Sequence, residues 1–344
     1  VVGDGDPALG DPRILGSTEP PMTVDALMAR IASALHRSGL ESVSEIVVDD
    51  RVFDRDWIHP SWPENQLNRW YCAEVAGLNF HTNCLTVYPT PASDGFSAPT
   101  VRIQPGADWI RVDPHRAKTI TRGQNTAWIT RPLTANEFSM RGNVRHANQE
   151  IDVTLHDVPS FFGMLLAQSL RDAGVSIDMA GASDERPYPL VRLARDDERF
   201  HDVPATTVVT TSIDDVLRRC NVHSQNLFAE SLLKRIGHEV TGEKGSWENG
   251  GAVLRMLLTE RLGPQAASST VIADGSGMSR ENQVSAGTLT DWLATIYADE
   301  SIRDAFVDSL AVPGIGTLDD RFGYPRRPVE MYGQVHAKSG YLNG

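Results

Sequence analysis

The sequence predicts a multidomain α/β (α+β) protein, and three observations carry that expectation. At 344 residues and 40% hydrophobic content, the chain exceeds what one hydrophobic core ordinarily fills, about 250 to 300 residues. Between residues 84 and 144 short strand-like runs alternate with Pro, Gly and Asp signals. From about residue 206 the apolar spacing becomes helical. The expected division is therefore 1–205 and 206–344, the first part comprising a mixed α/β unit over about 1–90, a β-rich part over about 84–155 and a helix-strand return over about 156–205.

Taken in order, the opening "VVGDGDPALGDPR" is rich in turn residues and lacks a hydrophobic pattern. Thr23 is an N-cap candidate for a helix running to His36, with Leu27, Ile31 and Leu35 on one face and Gly39 as terminator. "SEIVVDDRVF" reads as a strand, and residues 60–83 as irregular and aromatic-rich. "CLTVYPTP", "APTVRIQP", "NTAWITRP" and "NEFSMRGNV" follow as short strands, then a helix in "VPSFFGMLLAQSLRDAGVSI" that ends at Gly174. Helices are expected at 212–220, 226–238, 246–262 and 285–297, with strand-like pieces at 268–273 and 333–338.

Composition excludes some function classes. No apolar run approaches the ~18 residues of a transmembrane helix. The formal charge of −13 opposes polyphosphate backbones, so neither nucleic acid nor an anionic membrane surface is an expected partner. Cys72, Cys84 and Cys220 have neither metal-ligand spacing nor disulfide-scaffold density. Buried thiols are the expectation, with a Cys72–Cys84 bridge left open. The start at Val1 without a methionine or leader, and the end on an unpartnered strand, read as two cuts, or at the start as removal of a targeting segment.

Only four lysines stand beside twenty-eight arginines, so lysine-dependent chemistry must use Lys118, Lys234, Lys244 or Lys338. In "HSQNLFAESLLKR", Ser231 and Lys234 form a Ser-x-x-Lys pattern, the arrangement of an acyl-enzyme nucleophile and its base. At about 100° per residue, a helix from Asn226 puts Glu230, Ser231 and Lys234 opposite Phe228, Leu232 and Ile236. That face is expected to be solvated, with Glu230 and Lys234 as an i,i+4 ion pair, an environment opposite to the one a base requires. Lys118 and Lys244 are preceded at the same spacing by His115 and Thr241, not serine.

Ser224 and Asn226, two residues apart, face one cleft only if the backbone there is looped; the alternative is a helix cap. In "HAKSGYLNG", Lys338 and Ser339 can hold a carboxylate, and Gly340 permits close ligand approach. "IADGSGMSRENQVSA" lacks the spacing of a phosphate loop and reads as a tight turn before a helix from Ser285.

In order and spacing, "HSQNLFAESLLK", "VIADGSGMSRENQVSA" and "VHAKSGYLNG" resemble the class C low-molecular-mass penicillin-binding proteins, D-alanyl-D-alanine carboxypeptidases that also act as endopeptidases. The likeness extends upstream through "VVGDGDPALGDPR", "VDDRVFD" and "AGLNFHTNCLTVYPTP", and covers essentially the whole chain. It implies a partial serine β-lactamase/transpeptidase-like domain at 206–344, preceded by inserted β-rich mixed accessory domains at 1–205. Ser224 and Asn226 take the Ser-x-Asn positions, the serine relaying protons and the asparagine holding the acyl side chain. Lys338, Ser339 and Gly340 stand at Lys-Thr-Gly, serine keeping the hydroxyl that binds the terminal carboxylate. Tyr341 follows where the family commonly has Ser or Thr, and offers its backbone N–H as an oxyanion donor. The family's own Ser-x-x-Lys is expected upstream of Val1, which makes Ser231 and Lys234 a coincidence and the present chain an interior piece without covalent activity.

The implied substrates are peptidoglycan stem peptides and β-lactams, with no metal or organic cofactor and an extracytoplasmic or periplasmic location in the cell envelope. Two rival readings are a non-catalytic peptidoglycan-binding or scaffold protein of the same fold, and a β-lactamase- or esterase-like hydrolase.

Overall fold

The computed structural model describes residues 1–147, 149–184, 186–200, 207–319 and 334–341. They divide into two compact units, residues 1–51 with 63–209 and residues 52–62 with 210–344. The boundary expected at 205 lies outside the described residues, as do residues 342–344 of the last motif.

In the first unit, α1 (Pro12–Gly16) is capped by the Asp11 carboxylate, which accepts from the N–H groups of Arg13 and Ile14. Helix α2 (Val24–Arg37) begins as expected, with Thr23 Oγ1 accepting from Ala26 N. Its deepest line is Val24, Met28 and Ala32, while Leu27, Ile31 and Leu35 pack on the flank of the core. Both lines have a four-residue spacing, so periodicity alone selected the adjacent, bulkier one.

The β-structure is split into small sheets. The pairs β1 (Ser42–Val43) with β9 (Ser176–Ile177), and β2 (Ile46–Val48) with β10 (Val191–Leu193), are parallel. The strand expected across "SEIVVDDRVF" is thus confined to Ile46–Val48; beyond Arg51 the chain joins the second unit, where Phe53 bridges Gly245. Strand β3 (Cys84–Thr90) lies between β4 (Thr100–Gln104) and β8 (Ile151–Thr154), antiparallel to both. In the third group β7 (Phe138–Val144) is central, parallel to β5 (Val112–Thr119) and antiparallel to β6 (Trp128–Thr130). Strands β5 and β8 are not expected from the sequence, because "VDPHRAKT" lacks a clean two-residue alternation and "IDVT", though alternating, is only four residues long.

Helix α3 (Val158–Asp172) ties these sheets together through a core of Phe161, Phe162, Leu165, Leu166 and Leu170 packed with Leu85, Val87, Met140 and Val153. Gly163 lets it approach the β2/β10 pair, since a Cβ there would lie 2.6 Å from Val191 Cγ1.

The described part of the second unit is mainly helical: α4 (Ile213–Val222), α5 (Asn226–Thr241), α6 (Trp247–Leu262), α7 (Pro264–Ser268), α8 (Ala286–Ala298) and α9 (Arg303–Ser309). Gly242, at φ +72°, ends α5, and Ser246 opens α6 through a reciprocal cap with Asn249. The two helices approach at Gly250, whose Cβ would lie 2.3 Å from Leu233 O. The strand-like pieces at 268–273 and 333–338 reduce, among the described residues, to single bridges, Val271 with Gln283 and Ala337 with Ala311.

Candidate active site

Ser224 lies in the turn between α4 and α5, after the C-cap residue His223 and before the N-cap residue Gln225. Its φ of +55° is a left-handed conformation that a non-glycine residue occupies only at a cost of about 1 to 3 kcal/mol. Neither sequence-predicted residue is the cap of α5: Ser224 precedes that position and Asn226 is the first helical residue, while Gln225 makes no side-chain cap hydrogen bond. The looped backbone required for Ser224 and Asn226 to share one cleft is therefore present.

The strained turn presents the Ser224 hydroxyl to Lys338, whose Nζ donates to Ser224 Oγ at 2.6 Å and to Ser339 O at 2.6 Å. The segment carrying Lys338 is anchored by Ala337 N donating to Ala311 O at 2.9 Å. The Lys338 stem is exposed, but loss of water around its ammonium lowers its pKa, an effect the Cys220 thiol opposes. Burial in turn pushes the Cys220 thiol up to about 11, an effect that the Lys338 charge partly offsets. A hydroxyl accepting from an ammonium keeps its own O–H free to donate. Ser224 is thus placed to pass a proton onward, with a cation beside it for an anionic group.

Ser339 is half-buried and Gly340 faces open space. Tyr341 is 85% exposed.

Ser231 and Lys234 are not on a solvated face. Glu230, Ser231 and Lys234 are all buried, at 0%, 1% and 0% exposure. Lys234 Nζ donates to Asp54 Oδ1 at 2.6 Å and to Asp56 O at 2.8 Å, and lies 3.7 Å from the centroid of the Trp247 ring. The expected ion pair to Glu230 is replaced by one to Asp54. Burial lowers the Lys234 pKa and raises that of Asp54, each partly offset by the other charge. Glu230 instead accepts from Trp247 Nε1, Gly275 N and Ser276 N at 2.8, 2.8 and 2.9 Å. Burial, reinforced by Asp274, pushes it up to about 7. Helical periodicity locates polar faces, but it cannot tell that segment 52–62, α6 and the turn at 274–279 would cover this one with matched partners.

That turn is a dense hydrogen-bonded structure, as expected. Asp274 accepts from Trp62 Nε1, Gly277 N, Ser279 N and Asn282 Nδ2, and Ser285 caps the following helix. Cys72, Cys84 and Cys220 are free thiols, the first two buried, so the Cys72–Cys84 bridge is not formed. Among the described residues no group of three or more His, Cys, Asp or Glu could hold a metal ion, and no helix is long and apolar enough to cross a membrane.

The chain is 28% identical over 373 residues to a D-alanyl-D-alanine carboxypeptidase of an Actinomadura species, covering 100% of this chain and 61% of that protein. It is 21% identical over 340 residues to the D-alanyl-D-alanine carboxypeptidase DacB of Haemophilus influenzae, covering 95% and 65%. It spans 61 to 65% of the length of these curated relatives and of a Dictyostelium discoideum penicillin-sensitive carboxypeptidase A. Two crystal structures of penicillin binding protein 4 (dacB) from Haemophilus influenzae, one complexed with a β-lactam, share the fold. Each has a TM-score of 0.67, at 16% and 17% identity, over 95% and 99% of this chain and 67% and 68% of theirs. The D-Ala-D-Ala carboxypeptidase 3 (S13) family matches residues 1–344 throughout, the three motif regions included, and the chain belongs to that family.

Proposed function

We propose that this chain is part of a serine-type D-alanyl-D-alanine carboxypeptidase and endopeptidase of the cell envelope, acting outside the cytoplasm on peptidoglycan stem peptides and inhibited by penicillins. The observation that carries the reading is the 2.6 Å contact between Lys338 Nζ and Ser224 Oγ, formed between the two motif regions singled out independently in the sequence. Residues 206–344, with the segment 52–62 that packs into the same compact unit, supply part of the transpeptidase-like domain, and the rest of residues 1–205 an inserted accessory region.

The nucleophilic serine and its lysine are assigned to a Ser-x-x-Lys outside these residues. Ser231 and Lys234 are the only such pair among the four lysines, and Lys234 is committed to Asp54. The serine hydroxyl attacks the carbonyl between two terminal D-alanines while its proton passes to the neighbouring lysine. Ser224 relays a proton to the departing amine, Asn226 holds the acyl side chain, and the Tyr341 N–H faces the developing oxyanion. Lys338 and the Ser339 hydroxyl bind the terminal carboxylate, with Gly340 giving it room. Water then releases the acyl group.

The test uses the intact protein that contains this chain, reacted with a fluorescent penicillin. Ser224→Ala and Lys338→Ala are expected to slow acylation about 100-fold or more. Acylation of the variants at the parent's rate would remove Ser224 and Lys338 from the mechanism. No acylation of the intact parent would replace the enzyme by a non-catalytic peptidoglycan-binding protein.

A further inference from the structure

The solvent face of the β5-β7-β6 sheet concentrates positive charge on a chain whose formal charge is −13. Residues 112–147, the sheet with its loops, contain two acids, Asp113 and Glu137, and six lysines and arginines, of which Arg131 is buried against Glu74 and the other five stand on or beside this face. The register aligns them. Trp128, Arg141 and Arg116 form one row across the three strands, and Asn143 and Lys118 lie in the next. Arg116 and Lys118 are exposed, whereas Ala117, Thr119, Met140 and Val144 turn to the core. Arg122 and Arg145 extend the face beyond the strand ends, and both are exposed.

Like charges directly opposite on neighbouring strands destabilise a sheet, yet Arg116 and Arg141 are direct partners. Among the described residues, none of Arg116, Lys118, Arg122, Arg141 and Arg145 pairs with a carboxylate. Arg141 places its guanidinium 5.6 Å from the centroid of the Trp128 ring, and its buried Nε has no hydrogen-bond partner. Trp128 remains 41% exposed, and Phe96 is 76% exposed on a loop fastened to the end of β5 by Ser97 O and Thr119 N.

We propose that this face binds a flexible, phosphodiester-linked glycan of the cell envelope, with a sugar ring stacked on Trp128 and phosphates held by Arg116, Arg141 and Lys118. One guanidinium fork satisfies both oxygens of a carboxylate, whereas two opposed arginines suit a tetrahedral phosphate that offers acceptors in more than one plane. An exposed tryptophan beside the cations supplies an apolar platform for a ring, which a bare inorganic anion does not need. The acidic remainder of the molecule disfavours a long, densely charged nucleic acid, while a thin flexible chain follows the sheet and avoids the rest. The assignment does not depend on the peptidase reaction, so binding and acylation fail or succeed separately.

The experiment measures binding of the 344-residue chain to glucosylated poly(glycerol phosphate), to the same polymer without sugar, to dextran, and to a single-stranded RNA of equal charge. Saturable binding to the glucosylated polymer that weakens with salt is expected, and the double substitution Arg116→Glu with Arg141→Glu should weaken it at least about tenfold with unchanged thermal melting. Trp128→Ala should abolish the preference for the glucosylated over the bare polymer. Absence of saturable binding at low salt, equal binding by the charge-reversed chain, or tighter binding of RNA would each overturn the proposal. Retention of the sugar preference by Trp128→Ala would overturn the stacking role.

Discussion

Lys234 Nζ and Asp54 Oδ1, 180 residues apart in sequence, meet at 2.6 Å beneath the Trp247 ring. Both charges are partly or wholly removed from water, and burial moves each pKa toward the neutral form. Such a pair contributes little net stability, but removing one partner leaves an uncompensated charge. Lys234→Met is therefore expected to destabilise the chain by about 3 kcal/mol, the low end for a buried pair because the Asp54 side chain is 24% exposed. Adding Asp54→Leu should recover much of the loss. Urea unfolding of the two variants checks this; a double variant no more stable than the single one would mean that the pair's geometry, not its isolated charge, is what matters.

Glu230 gives a pH dependence of definite sign. Its carboxyl is raised from 4.5 to about 7, so between those values the folded chain holds a proton that the unfolded chain has lost. The resulting stabilisation is fully present below pH 4.5 and disappears as pH rises through about 7. Glu230→Gln removes this titration, although its amide no longer matches all three donors around it. The parent should lose stability relative to the variant between pH 5 and pH 8, read as diverging urea midpoints. Parallel midpoints across that range would show that the three N–H donors keep Glu230 ionised.

The α5–α6 crossing depends on Gly250. A methyl group there would lie 2.3 Å from Leu233 O and 2.9 Å from Leu233 C, backbone atoms that cannot rotate away. Alanine normally stabilises a helix by about 1 kcal/mol relative to glycine, but overpacking of this kind costs about 1 to 3 kcal/mol. Gly250→Ala should lower the thermal midpoint. An unchanged midpoint would mean that the helices separate freely at this point.

How much of this was legible depended on what kind of partner each residue has. Thr23, Gly39, Gly174 and Ser285 act on neighbours within a few positions, and their roles as caps and terminators could be read directly from sequence. The contact between the regions of Ser224 and Lys338 was legible only as motif order, because no local rule brings together residues 114 positions apart. The burial of Glu230 and Lys234 was misjudged for the same reason. Their partners Asp54, Trp247, Gly275 and Ser276 arrive from three other segments, and periodicity within α5 carries no trace of them.

Ser224 separates a backbone role from a side-chain role, because its φ of +55° suits glycine and its hydroxyl receives the Lys338 ammonium. Ser224→Ala keeps the left-handed strain and loses the hydroxyl; Ser224→Gly loses the hydroxyl and relieves the strain. The glycine variant should thus be more stable than the alanine variant by about 1 kcal/mol. In the intact protein, both should lose penicillin acylation to a similar extent. Thermal melting and acylation rates together decide the matter. Equal stability with equal loss of acylation would place the conformational strain elsewhere in the turn, whereas restored acylation in the glycine variant would show that Ser224 serves the backbone and that the proton passes by another route.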